Sequence, residues 1–424
     1  MRICIYEDAG AGRLEPIALT RPVFALWCGA QRLFERQQRH FTAGDVGFWT
    51  RTEQAALWRM EQPGHPVNDA EWARAQSTAW INGRWLPSAD CEPFSTDPHV
   101  GIAGKQIAYA VLPAGEHPNG EGIDAWFERW TARLSNRPAG GVMLDFLWDV
   151  VDQNAAAVAE DFHWFQAAHG SRPRPAQIAV TGPADRLVVA PGATIDPFVF
   201  ADTRGGPVLI DRDAVVHSFS RLEGPCYVGQ ESWILGAKLR AGSSIGPCTR
   251  VGGEVEASIM QGFSNKYHDG FLGHSYVGEW VNLAAATQTS DLRNDYDVVR
   301  VSIDGQRIVT GKNKIGSYFG DHAKTGLGAL LNTGSTVGPF ANVLPAGALL
   351  PQVIPAFCLT QRGDLREITD LRKTFSTAAR AMQRRGKTLT DTHRELYDWV
   401  FETTAERRRQ FIREGEMRRL RKSV

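Results

Sequence analysis

The chain has 424 residues, 43% of them hydrophobic and 22% charged, with 47 basic against 47 acidic side chains. That length exceeds one ordinary core and points to two or three folded units, and the composition is neither disordered nor fibrous. Balanced charge excludes a chain that is basic throughout and built to bind nucleic acid, and no apolar run approaches the roughly 18 residues of a membrane span.

The N-terminus reaches Glu7 and Asp8 at once and lacks the basic start and apolar stretch of a signal peptide, so a cytoplasmic location is expected. Cys4, Cys28, Cys91, Cys226, Cys248 and Cys358 are scattered, with no C-x-x-C pair, and read as free thiols. Arg2–Tyr6 alternates and predicts an opening strand, followed by a loop, Glu7–Arg13, that holds Gly10 and Gly12. Val46–Thr50, Trp80–Ile81 and Ile107–Val111 predict further strands. Gly29–Gln38, Ala55–Met60 and Ile123–Leu134 predict helices, and the alternation implies an α/β domain. Residues 142–169 predict the longest helix, because Leu144, Leu147, Trp148, Val151, Ala155, Val158, Phe162 and Phe165 form one apolar stripe. The stripe reads as core and carries no chemistry. Ser171–Pro175 stops that helix, since proline removes a backbone donor, and it marks the end of a first domain at 1–175.

Then the period changes. Apolar residues return every six positions at Ile210, Val216, Leu222, Val228 and Ile234, slip by one, and continue at Leu239, Ile245 and Val251. A second series runs Phe319, Thr325, Leu331, Val337, Val343 and Leu349. This six-residue repeat predicts a β-helix over about 187–350, within a domain at 176–355, whose coils stack as parallel strands. The pattern fails between roughly Ser258 and Lys314, which predicts an excursion there. Val298–Ile303 and Gln306–Val309 flank Asp304-Gly305, a hairpin signal. Residues 356–424 predict a helical extension, with Leu396, Trp399, Val400 and Thr403 on one face. From Arg362 onward it holds 17 basic and 10 acidic residues in alternation, which reads as a solvated helix face rather than a nucleic-acid contact.

The segment richest in chemistry is Ser264–Ser275, SNKYHDGFLGHS, followed by Val281–Thr287, VNLAAAT. His268 and His274 stand beside a run of very small side chains. An imidazole titrates near neutral pH and can take a proton from an attacking amine. Taken as residues alone, the two histidines read rather as polar corners of the coil.

These residues resemble the acetyltransferase domain of the bifunctional N-acetylglucosamine-1-phosphate uridyltransferase/glucosamine-1-phosphate acetyltransferase family. The likeness runs from Lys238–Gly242 through Val255-Glu256 to SNKYHDGFLGHSYVG and VNLAAAT, and resumes at Phe319–His322. It implies a left-handed β-helix, a homotrimer, and acyl-CoA (acetyl-CoA) as cosubstrate between subunits. It further implies His268 as general base, Arg240 on the sugar phosphate, Asn282 on the sugar, and Ala285 and Lys324 beside acyl-CoA. Two positions depart from the family: Ser258 replaces a lysine of the phosphate site and Phe271 replaces a tyrosine of the acceptor site. Lys266 or Lys324 could supply the missing charge to the substrate. The N-terminal region resembles a divergent branch of sugar nucleotidyltransferases through IYEDAGAGRLEPIALTRPVFALWCG, Ile81–Arg84 and LWDVVDQN. That likeness implies an NTP and a sugar 1-phosphate as substrates. The usual G-x-G-T-R-M motif is missing, so Arg13 and Arg21 would serve the nucleotide phosphates and Asp8 would help hold Mg²⁺. Otherwise Gly10 and Gly12 are turn glycines and Arg21-Pro22 a structural corner. Two readings stay beside the two-activity enzyme: a single-activity transferase, and a non-catalytic sugar-nucleotide-binding scaffold.

Overall fold

The structure is a computed structural model that describes residues 2–41, 44–91, 95–118, 122–170, 175–303 and 305–422. Residues 171–174 of the predicted helix stop and Asp304 of the predicted turn lie outside them. Two compact units form. The first holds Met1–Leu14, Ala18–Leu26 and Gln31–Phe146, and the second holds Glu15–Ile17, Trp27–Ala30 and Leu147–Val424.

The first unit is built on a six-stranded sheet in the order Asp45–Trp49, Arg2–Tyr6, Thr78–Asn82, Gln106–Leu112, His99–Ala103, Ser135–Pro138. The opening strand is parallel to both neighbours. Its alternation feeds two cores, one on each side of the sheet. Ile3 and Ile5 pack with Phe24, Phe34, Phe48 and Trp58, while Cys4 and Tyr6 pack with Trp80, Trp126 and Phe127. All four predicted strands are present. The helix expected at Gly29–Gln38 is found at Leu33–Phe41, because Gly29 sits at φ +79° and cannot continue a right-handed turn.

In the second unit the long helix spans Leu147–His169, five residues later than the stripe suggests, since Val142–Met143 pairs as a strand with Trp85–Leu86. Its buried Asn154 accepts hydrogen bonds from Gly29 N (2.7 Å) and Ser244 Oγ (3.1 Å) and donates to Gly242 O (2.8 Å).

The β-helix is a parallel solenoid. One face is a nine-stranded sheet from Leu187–Val189 to Val353–Ile354. Ile178, Ile210, Val228, Ile245, Val251, Val277, Phe319, Val337 and Ile354 share the continuous core of the coil. The expected interruption at Ser258–Lys314 is too wide. Strands Ile259–Gly262, Asn265–Lys266, Phe271–Gly273, Tyr276–Glu279 and Gln288–Thr289 keep the coil going, and the departure is confined to about 290–316. The apolar period breaks there because buried hydroxyls take over. Ser264 Oγ donates to Gly278 O (2.7 Å) and accepts from Val281 N (3.0 Å), and Ser275 Oγ donates to Gly273 O (2.7 Å) and accepts from Ser317 N (2.8 Å). Within the excursion Arg300–Ile303 and Gln306–Val309 form the expected antiparallel hairpin. The last position of the second series also shifts, for Leu349 is exposed and Leu350 is buried in its place.

At one corner, aromatic side chains replace glycine at left-handed backbone positions. Phe263, Trp280, His322, Phe340 and Phe357 all have φ between +53° and +61° and stack ring on ring, with centroids 4.5 to 6.2 Å apart. That conformation costs an L-residue on the order of 1–2 kcal/mol, and stacking and burial offset it. Tyr397 closes on His322 and Phe340 from the helix Asp391–Thr403. After Ile354 the chain first makes an antiparallel pair, Cys358–Gln361 with Asp364–Glu367, and only then turns helical at Leu371.

Candidate functional site

The corner that carries His268 is unusual because the coil is short beside it. Six residues normally separate one inward residue from the next, as from Val216 to Leu222 and from Leu283 to Thr289. The two rungs before His268 are tighter: Ile234 to Leu239 is five, and Val251 to Val255 is four. Gly252 and Gly253 make that shortest corner, Gly253 at φ +70°. A Cβ on Gly252 would lie 2.2 Å from Tyr267 O, and one on Gly253 would lie 2.7 Å from Gly270 O. The next corner, Tyr267–Gly270, is full length and stands proud of this notch, with Tyr267, His268 and Asp269 exposed. The His268 ring lies 5.2 Å from that of Tyr267, and no side-chain hydrogen bond engages it among the described residues.

Lys266 is not a surface cation. It occupies the inward column of Val216, Ile234 and Val251 and is 2% exposed. Its Nζ donates to Gly252 O (2.7 Å) and His268 O (3.3 Å), and burial pushes its pKa down to about 8. The expectation that Lys266 meets a substrate is therefore corrected: both contacts of its ammonium are to backbone carbonyls beneath the notch.

The other expected residues lie on consecutive rungs. Asn282 is exposed and lies in the outward column Trp233, Arg250, Asn265, Asn282, Lys324, Asn342. Ala285 is half-buried on the corner after His268, and its carbonyl accepts from Gly328 N (2.9 Å). Lys324 donates to His322 O (3.0 Å), with its pKa pushed down to about 8 by burial. Phe271 follows His268 on the same rung, and its amide donates to Gln288 Oε1 (2.9 Å). Ser258 is fully buried and donates to Glu256 O (2.7 Å), so it presents nothing to a ligand. Arg240, two rungs before His268, is ringed by Glu254 (3.3 Å), Glu223 (3.6 Å) and Glu256 (3.7 Å). A phosphate there would have to displace carboxylates. His274, left open by its sequence context, has an orienting partner: its Nδ1 lies 2.7 Å from Asp291 Oδ2.

In the first unit the loop after the opening strand is organised by a residue that spacing did not single out. Arg84 is 1% exposed. It donates to Asp8 Oδ1 (2.7 Å) and Oδ2 (2.5 Å), Asp145 Oδ1 (2.9 Å), Gln106 Oε1 (2.9 Å) and Leu144 O (3.1 Å). Burial alone would raise the Asp8 pKa, but Arg84 and the amide of Asn82 (2.8 Å) outweigh it and hold the group below the ordinary carboxylate value. Both Asp8 oxygens are thus engaged. Among the described residues, no group of three or more His, Cys, Asp or Glu side chains gathers as a metal site. Asp8 does not fit the expected Mg²⁺ ligand. Gly10 is needed for this clamp, because a Cβ there would lie 2.4 Å from Arg84 Cζ. Arg13 is half exposed and lies 3.7 Å from Asp145, and Arg21 is half-buried with its carbonyl accepting from Arg51 (3.3 Å). The buried pairing of Arg84 with two aspartates so far apart in sequence leaves no periodic signal.

No helix among the described residues is long and apolar enough to cross a membrane. Residues 3–169 match the family model described as sugar nucleotidyl transferase. A bifunctional sugar-1-phosphate nucleotidylyltransferase/acetyltransferase from Sulfurisphaera tokodaii is 31% identical over 175 residues, covering 37% of this chain and 42% of that protein. A bifunctional protein GlmU from Jannaschia sp. is 32% identical over 165 residues, covering 37% of this chain and 33% of that protein. The chain thus spans less than half the length of these relatives. The polySia-specific acetyltransferase NeuO superposes on 50% of the chain with a TM-score of 0.29 and 9% identity, too loosely to bear on chemistry. By sequence, residues 3–169 resemble the sugar nucleotidyl transferase family, and part of the chain is similar to bifunctional nucleotidylyltransferase/acetyltransferases.

Proposed function

We propose that the solenoid transfers an acyl group, acetyl in the simplest case, from acyl-CoA to the amine of an amino-sugar phosphate, and that the first unit transfers a nucleotidyl group from an NTP to a sugar 1-phosphate. The observation that carries the first part is the exposure of His268 on a full-length corner that follows two short rungs. The amine nitrogen attacks the thioester carbonyl, His268 accepts its proton, the carbonyl oxygen becomes an oxyanion, and the C–S bond breaks to release CoA. Asn282 orients the sugar, and Arg240 meets the phosphate by exchanging its glutamate partners. Ala285, small and half-buried, leaves room for the thin acyl-CoA chain, with Lys324 on the following rung. A homotrimer and a cytoplasmic location belong to this reading, as does a sugar nucleotide such as UDP-N-acetylglucosamine as end product. Asp8 is held by Arg84 and is not a Mg²⁺ ligand in this reading.

The test is release of CoA from acetyl-CoA with a panel of amino-sugar phosphates. His268→Ala should lower kcat by about 10²–10⁴-fold with little change in the KM of acetyl-CoA. Wild-type turnover in that variant would remove His268 from the mechanism. One observation favours a narrower reading. The Arg84 clamp ties up Asp8 of the nucleotide loop together with Asp145, which suits a single-activity acyltransferase. Pyrophosphate release from UTP or dTTP, measured beside CoA release, separates the two.

A further inference from the structure

A lysine in the inward column of a solenoid needs a reason. The positions before it in that column are Val216, Ile234 and Val251, all fully buried and apolar. Burying an ammonium among them is costly unless its donors are used. The structure uses two of them in a specific way. One bond reaches Gly252 O on the shortened rung, and the other reaches the carbonyl of His268 itself. The space for Nζ exists because Gly253 has no side chain, for a Cβ there would lie 2.8 Å from Nζ. The notch, the two glycines and the lysine form one device, and its exposed end is the His268 corner.

We propose that Lys266 is a positioning residue for His268: its buried ammonium ties the carbonyl of His268 to the rung before it and fixes where the imidazole stands. Lys266 does not touch a substrate and transfers no proton. The proposal rests on the reading of His268 as the general base, but its physical content can be measured without an acceptor. Lys266→Met keeps an unbranched side chain only one atom shorter and removes the charge and its donors.

Two readouts on the full chain test it: modification of His268 by diethyl pyrocarbonate, followed by mass spectrometry of its peptide, and amide hydrogen exchange across 264–275. In Lys266→Met, His268 modification and exchange at 267–270 should each rise about tenfold, the order expected for losing a charge-assisted hydrogen bond. Exchange in the strands Ile259–Gly262 and Tyr276–Glu279 should stay as in the wild type, and thermal stability should hold or rise, because a desolvated charge has been removed. Lys266→Arg, too large for the space beside Gly253, serves as the second variant and should loosen the same four residues. Unchanged modification and exchange in Lys266→Met would overturn the proposal, as would loosening spread evenly over the solenoid. Failure of the acyl-transfer reading looks different: His268→Ala would keep wild-type CoA release while the corner still loosened in Lys266→Met.

Discussion

Arg84 shows how one side chain can decide the character of a loop. Its guanidinium is buried, charged and saturated by two carboxylates, an amide and a carbonyl. Replacing it with methionine removes the buried counter-charge of Asp8 and Asp145 and leaves them only the exposed Arg13. Arg84→Met should destabilise the first unit by about 3–5 kcal/mol, read from urea unfolding of the full chain. The sign of the pH effect follows from the depressed Asp8 pKa. Its contribution is present above the unfolded carboxylate value, near 4, and is lost as pH falls through the lower folded value. Acid unfolding of the first unit should therefore begin at a higher pH in Arg84→Met than in the wild type. Equal acid midpoints would mean that the pair contributes nothing net. None of this was legible from spacing: the arginine and its partners are 76 and 61 residues apart, and only the fold brings them together. The resemblance pointed to Ile81–Arg84 without saying what Arg84 does. Lys266 misled in the opposite direction, since its neighbours His268 and Asp269 are exposed and its own burial follows from the inward column it occupies.

At the level of elements, the coil was the most legible part of the chain, because each inward residue is apolar and the period is six. Legibility fails where the inward and corner residues become serine, threonine and lysine, for there the apolar period vanishes although the strands run on. The slip after Ile234 was visible in the sequence, but its consequence, a notch beside His268, depends on which corner loses the residues. That corner can be tested directly. Gly252→Ala would bring a Cβ to 2.2 Å from Tyr267 O, a backbone atom that cannot rotate away. The substitution should cost about 1–3 kcal/mol in the solenoid transition and displace the His268 corner. Wild-type stability in Gly252→Ala would show that neighbouring rungs slide apart easily, and the notch would then be a soft feature.

For the whole molecule, the alternating first half and the six-residue second half were both evident in the sequence, and the structure places a sheet unit and a solenoid there. The helix Leu147–His169 groups by contacts with the solenoid, although the family match that begins at residue 3 runs through it to residue 169. A stack of parallel rungs has a further property at its end. The strand Cys358–Gln361 would offer a row of unpaired backbone groups to the next rung, and a second copy of the solenoid could supply that rung. Instead Asp364–Glu367 turns back and pairs antiparallel, the sheet stops there, and Arg408 from the last helix binds Glu367 at 2.8 Å. A parallel template thus ends in a strand of the wrong direction, with charged residues along it. A chain ending at Gln361 should lose this guard and join end to end into fibres at high concentration, detected by light scattering and thioflavin fluorescence. If it stays dispersed, the terminal hairpin serves only local packing. Otherwise the segment after Gln361 is what keeps a self-complementary coil finite.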